Sequence, residues 1–215
     1  MNLINACSSG KFADVKALMG EGGGDGAAEG GASIDVNGQG ASGRTALLEA
    51  AWGGSADIVD FLLERGANPN IADKSGFTPL MRAVEGEYQS IAGALIKKGA
   101  DVNCCGHVRG TTPLMLAAES GNQKLLSMLL GAGARVNDAD RYEETAVARA
   151  YKAGQGKAAE FLESKGGRGK TERSAYYSHS DRDVSSVTVE ALPQWSAASQ
   201  DAMGVGRGSG HDFDD

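Results

Sequence analysis

Cys104, Cys105 and His107 stand within four residues of one another, and thiolates with an imidazole are ligands that zinc prefers. A closed zinc site needs four ligands, and its cysteines are usually two or more residues apart. Here the cysteines are adjacent and no fourth ligand follows, so the plainer reading is a loop of exposed or half-buried small residues, and no metal is predicted. A second stretch, Ser164-Lys165-Gly166-Gly167-Arg168-Gly169-Lys170-Thr171, ends like a phosphate-binding loop. Such a loop must begin with glycine, follow a strand and open a helix. This one begins with Ser164 and follows a helical pattern, so it is read as a coincidence. His179 and His211 lack the partner pattern of a general base. No catalytic residues and no cofactor are predicted.

Bulk properties narrow the classes further. The formal charge of −7 and the absence of a run of Lys and Arg argue against direct nucleic-acid binding. No stretch approaches the roughly 18 apolar residues of a spanning helix, so membrane insertion is not predicted. The start MNLINACSSGKF has neither the basic opening nor the apolar centre of a secretion signal. Three cysteines, two of them adjacent, do not form a disulfide framework. These features place the chain inside the cell, in the cytoplasm ahead of the nucleus.

The elements that would carry any site are legible in Thr112 to Asn137, TPLMLAAESGNQKLLSMLLGAGARVN. Thr112 can cap a helix, and Pro113 fits its first position, where a missing N–H costs nothing. Leu114, Leu116, Ala117 and Ala118 give this helix an apolar stripe whose small residues admit a close neighbour, and Gly121 ends it. Leu125, Leu126, Met128, Leu129 and Leu130 make a second, greasier helix that stops at Gly133. One such pair cannot bury its own apolar face and needs copies on either side.

The copies are present. Thr45, Thr78, Thr112 and Thr145 open corresponding segments 33, 34 and 33 residues apart. Thr78-Pro79-Leu80-Met81-Arg82-Ala83 is close to Thr-Pro-Leu-His-x-Ala with Met for His, and Gly66-Ala67-Asn68-Pro69-Asn70 and Gly99-Ala100-Asp101-Val102-Asn103 share one exit pattern. In period and pattern the chain resembles the ankyrin repeat family. The resemblance implies an all-α solenoid of about five helix-turn-helix units with finger loops. The units are placed at about 1–37, 45–70, 78–103, 112–137 and 145–166. The first is degenerate, with Cys7 at an alanine place in the core, and it carries a Gly-rich insertion at about 24–31, read as a flexible spacer. In the third, Glu87 stands where Gly54, Gly121 and Gly154 end their helices, which predicts a rearranged turn. In the fifth, Lys152, Lys157, Glu160, Glu163 and Lys165 give the polar face that must close a stack. Residues 167–215 are acidic and rich in serine and glycine without helical period, and are predicted to be disordered. Within them Val184, Val187, Val189, Leu192 and Trp195 suggest a short linear motif.

The resemblance also implies where a partner would be held: finger tips and the exposed last turn of each first helix. Counted from each opening threonine, these positions are Arg44 and Trp52; Lys74, Phe77 and Glu85; Arg109 and Glu119; Arg141, Tyr142 and Lys152. Trp, Tyr, Phe and Arg recur, and these types dominate binding hot spots. The alternative is that Trp52 packs on a neighbouring helix and the charges are simply solvated. The function expected is protein–protein interaction, as an adaptor, scaffold or stoichiometric regulator gripping its partner along a stripe of Trp52, Phe77, Arg109 and Tyr142. The alternative function is a structural subunit of a multi-subunit assembly, with the tail threaded between neighbours.

Overall fold

A computed structural model describes residues 2–20, 34–106 and 109–169. The Gly-rich insertion, His107, Lys170 and Thr171, His179, His211 and the apolar motif ending at Trp195 lie outside the described residues. Ten helices in five consecutive pairs make up what is described: α1 (Leu3–Ser8) with α2 (Phe12–Leu18), α3 (Ala46–Trp52) with α4 (Ala56–Glu64), α5 (Pro79–Glu85) with α6 (Gln89–Lys97), α7 (Pro113–Ser120) with α8 (Gln123–Gly131), and α9 (Ala146–Lys152) with α10 (Gly156–Ser164). The odd-numbered helices touch in sequence to form an inner row, and the even-numbered ones form an outer row packed on it.

Each inner helix is started by the chemistry its opening residue carries. The hydroxyl oxygens of Thr45, Thr78, Thr112 and Thr145 accept the backbone N–H three residues on, at 3.2, 3.3, 3.3 and 3.4 Å. These helices are only seven or eight residues long in units two to five, below the length at which an isolated helix persists in water. Packing holds them instead. Ala50, Ala51, Ala83, Ala117, Ala118 and Ala150 on the inner helices are fully buried, and such small side chains let successive helices approach closely. The space between the rows is filled by Leu47, Leu62, Leu80, Leu95, Leu114, Leu126 and Leu129, all buried.

The turn at Glu87 is not rearranged. Glu87 takes φ +57°, the left-handed conformation that Gly54, Gly121 and Gly154 adopt at the same place. Tyr88 N–H reaches the Ala83 carbonyl at 2.8 Å, as Ser55 reaches Ala50 and Gln155 reaches Ala150. The Glu87 carboxylate accepts a hydrogen bond from Asn122 of the next unit at 2.9 Å, a contact set against the roughly 1–2 kcal/mol that a side chain costs in this conformation.

The exit asparagines join one unit to the next. Asn70 donates its amide to the Gly99 carbonyl at 3.0 Å and accepts the Asp101 N–H at 2.8 Å. Asn103 bridges in the same way to Gly133 and Arg135, and Asn137 to Gly166 and Arg168. The last of these carries the chain past α10, where Thr145 also donates to the Arg168 carbonyl at 2.8 Å. Over its described part, Ser164 to Gly169, the Gly-rich run resembling a phosphate loop therefore leaves a helix and runs back along unit five, instead of following a strand.

Candidate functional site

The fingers that precede the inner helices are built to one plan. In the third unit Asp73 is buried, and one carboxylate oxygen accepts the N–H groups of Ser75 and Phe77, both at 2.9 Å. Its other oxygen receives Arg82 Nη2 at 3.2 Å. In the fifth unit Asp140 does the same with Tyr142 and Glu144, at 2.8 and 2.9 Å, and with Arg149 Nη2 at 2.7 Å. A carboxylate bonded to turn N–H groups fixes a finger's shape, and its arginine ties that finger to the helix behind it. Burial would raise the pKa of Asp140, but the Arg149 hydrogen bond and the N–H groups of Glu144 and Tyr142 outweigh it and hold the carboxyl below its ordinary value.

Neighbouring fingers are joined by backbone bonds. Lys74 N–H donates to Ser42 at 3.1 Å and Arg141 N–H to Arg109 at 2.9 Å. Between the third and fourth fingers the approach is closer still: a Cβ on Gly106 would lie 1.9 Å from the Gly76 carbonyl, so only glycine fits.

Around the first arginine the side chains form an alternating stack. The Arg82 guanidinium lies 3.7 Å from the centre of the Phe77 ring and 5.0 Å from that of Trp52, whose ring also has Arg44 at 4.3 Å. Arg44 is held in turn by Glu49 at 3.2 Å, and Arg82 by Glu85 at 2.9 Å. Trp52 remains 44% exposed, so the indole lies outside the core between the rows while keeping a fixed position. The second group gathers round Arg149, which donates to Glu119 at 3.3 Å and Thr111 at 3.2 Å. Arg109 lies 5.0 Å from the centre of the Tyr142 ring, which is 64% exposed, and Lys152 pairs with Glu144. Arg109, Glu119, Glu144, Arg149 and Lys152 line a cleft of about 200 Å³.

Eight of the ten side chains expected at a contact face thus meet as two groups: Arg44, Trp52, Phe77 and Glu85 at the junction of units two and three, and Arg109, Glu119, Tyr142 and Lys152 at that of units four and five. Lys74 and Arg141 project from finger tips, exposed. Sequence reasoning passed over the pieces that organise both groups, Asp73 with Arg82 and Asp140 with Arg149. Their signal was present, since in each of these two units an Asp precedes an Arg by nine residues at the same place in the repeat.

The cysteines differ in surroundings. Cys7 is buried, and burial with the nearby Glu49 charge pushes its thiol up to about 12. Cys104 is half-buried with its sulfur 3.5 Å from the Thr78 hydroxyl, and burial raises its pKa; Cys105 is exposed. Among the described residues no three His, Cys, Asp or Glu side chains converge as metal ligands, and no helix is long and apolar enough to cross a membrane.

Comparison with known proteins agrees with this architecture. The family model described as "Ankyrin repeats (3 copies)" matches residues 3–104 and 103–172. Similar relatives include human "Ankyrin repeat and KH domain-containing protein 1", 47% identical over 60 residues that make up 28% of this chain and 2% of that protein. An ankyrin repeat protein of Escherichia coli, YahD, is 38% identical over 105 residues, 46% of this chain and 47% of its own length. The mouse "RelA-associated inhibitor" is 43% identical over 60 residues, 28% of this chain and 7% of its own. The chain therefore spans at most about half of these relatives, and only a few per cent of two of them.

Proposed function

The chain belongs to the ankyrin repeat family, whose members are generally protein–protein interaction modules, and we propose that it binds a protein partner on the face formed by its fingers and inner helices. In this reading it is an adaptor, scaffold or stoichiometric regulator and carries out no reaction of its own. The observation that supports the face is the pair of exposed rings held in place by guanidinium groups. Trp52 and Tyr142 present large amphipathic areas, and their positions are already fixed, so little side-chain freedom is lost when a partner covers them.

Site-specific photocrosslinking tests the face directly. A photoreactive phenylalanine analogue replacing Tyr142 or Trp52 in cells is expected to trap the same protein, whereas the analogue at Lys97 or Lys124, on the outer helices, is expected to trap none of it. Crosslinks to one protein from the outer positions alone would move the interface to the other side.

A further inference from the structure

Cys104 and Cys105 are neighbours in the chain, and both open into one cleft. The cleft, of about 430 Å³, lies between the third and fourth fingers, with Lys74, Gly76 and Thr78 on one side and the two cysteines and Gly106 on the other. Both thiols are free and are held toward different partners. Half-buried Cys104 has its sulfur 3.5 Å from the Thr78 hydroxyl, and exposed Cys105 donates to the Asn103 carbonyl at 3.6 Å.

The finger that carries them is fastened differently from those on either side. In units three and five a buried aspartate ties the finger to an arginine of the inner helix, whereas in unit four Gly106 and Leu116 stand in the places of that aspartate and arginine. The fourth finger is held instead by Asn103, bonded to Gly133 and Arg135, and by Gly106, which pairs with Thr111 and lies against the Gly76 carbonyl. Cys104 adds its contact with Thr78, the residue whose hydroxyl caps α5. The two thiols therefore sit between anchors, at the joint of units three and four.

We propose that Cys104 and Cys105 are a redox-modification site: a peroxide closes them into a reversible disulfide between adjacent residues, which loosens the joint of units three and four. Cys105 is exposed and is the sulfur a peroxide reaches first. Its thiolate attacks hydrogen peroxide; the S–O bond forms as the O–O bond breaks, and the leaving hydroxide takes up a proton as water. Cys104 then attacks the Cys105 sulfenic sulfur; the S–S bond forms, the S–O bond breaks, and the departing hydroxide leaves with the Cys104 proton as a second water. The sulfurs together give up two electrons, and the peroxide accepts them. Adjacent Cα atoms are about 3.8 Å apart, closer than the roughly 4.4–6.8 Å of an ordinary bridge, so the ring is strained and a dithiol reductant opens it. Closing the ring draws at least one sulfur off its present partner and carries strain into Asn103 and Gly106 on either side. Neither a partner nor its face enters this chemistry.

The test treats the full chain with hydrogen peroxide at near-equal concentration and follows it by mass spectrometry and by thermal melting. The tryptic peptide 99–109 holds both cysteines and excludes Cys7. It is expected to lose two hydrogens and its reaction with iodoacetamide, and to regain both on treatment with dithiothreitol. Cys104→Ser should stop at a sulfenic acid on Cys105, trapped by dimedone. The oxidised wild type should melt a few degrees lower than the reduced one and recover with reductant, while peroxide leaves the melt of Cys104→Ser/Cys105→Ser unchanged. A disulfide between two chains at Cys105, or a wild-type peptide that halts at the sulfenic acid or passes on to the sulfinic acid, would overturn the pair. A ring that forms without altering the melt, or a peroxide effect on melting that persists in the double variant, would overturn its action on the joint.

Discussion

At the residue scale the fingers depend on single buried carboxylates. The Asp140 side chain is fully covered and Arg149 is 8% exposed, and removing one member of such a pair strands the other in a poorly solvated place. Asp140→Ala is expected to cost about 3 kcal/mol in a denaturant titration. The pH dependence follows from the direction of its shift. A carboxyl held below its unfolded pKa contributes fully above that value and loses its contribution as pH falls through the lower, folded one. The stability gap between wild type and Asp140→Asn should thus be constant above about pH 5 and shrink below about pH 4. A gap unchanged down to pH 2 would mean that the pair contributes through shape alone. Thiol reactivity gives an independent check of burial: in the native chain Cys105 should alkylate first and Cys7 only on unfolding, since its thiol is covered and pushed up to about 12. Of the residues at this site, Trp52 and Tyr142 were legible because their types and counted positions coincide. Arg82 and Arg149 were not, because an arginine inside a helix reads as solvated until the preceding finger is seen to fold its aspartate against it.

At the scale of elements, helix starts and stops were written plainly in Thr-Pro and Gly, because capping is local chemistry. The turn at Glu87 was misread since the sequence shows a side chain where glycine is easier, while the neighbouring units that impose the conformation are invisible in it. Glu143 is the same case at a finger tip, with φ +59° where Gly43, Gly76 and Gly110 are used. Replacing either by glycine should relieve about 1–2 kcal/mol of backbone strain against about 0.5–1 kcal/mol of added unfolded-chain freedom. Each variant is therefore expected to be more stable by roughly 0.5–1 kcal/mol, read as a higher melting temperature. A fall would show that the Asn122 bond to Glu87, or the contacts of Glu143, outweigh the strain. The bridging asparagines could be counted in sequence, but their action across units could not. Asn70→Ala removes two bonds between units and should cost about 1–3 kcal/mol.

At the scale of the molecule, stability is a sum over neighbouring units, so the ends matter. Val147 in the last inner helix is fully buried, and part of its cover is the backbone of Gly167 and Gly169. A chain ending at Gly169 is expected to melt like the full chain. One ending at Gly166 loses the Arg168 bonds to Thr145 and Asn137 and uncovers Val147, a loss of about 2 kcal/mol or roughly 4–8 °C. Equal melting of the two would show that this strap adds nothing.

The central claim is that the finger and inner-helix face grips a partner through exposed rings that are held in place but do not hold the fold together. The most direct measurement is a binding titration with the crosslinked partner, paired with a thermal melt, for Trp52→Ala and Tyr142→Ala beside Lys97→Ala and Lys124→Ala. The expected result is a loss of about 1–3 kcal/mol of binding for each ring with melting temperatures close to wild type, and little change for the two lysines. Unfolding by Trp52→Ala with no separate loss of binding, or full affinity in both ring variants, would contradict it.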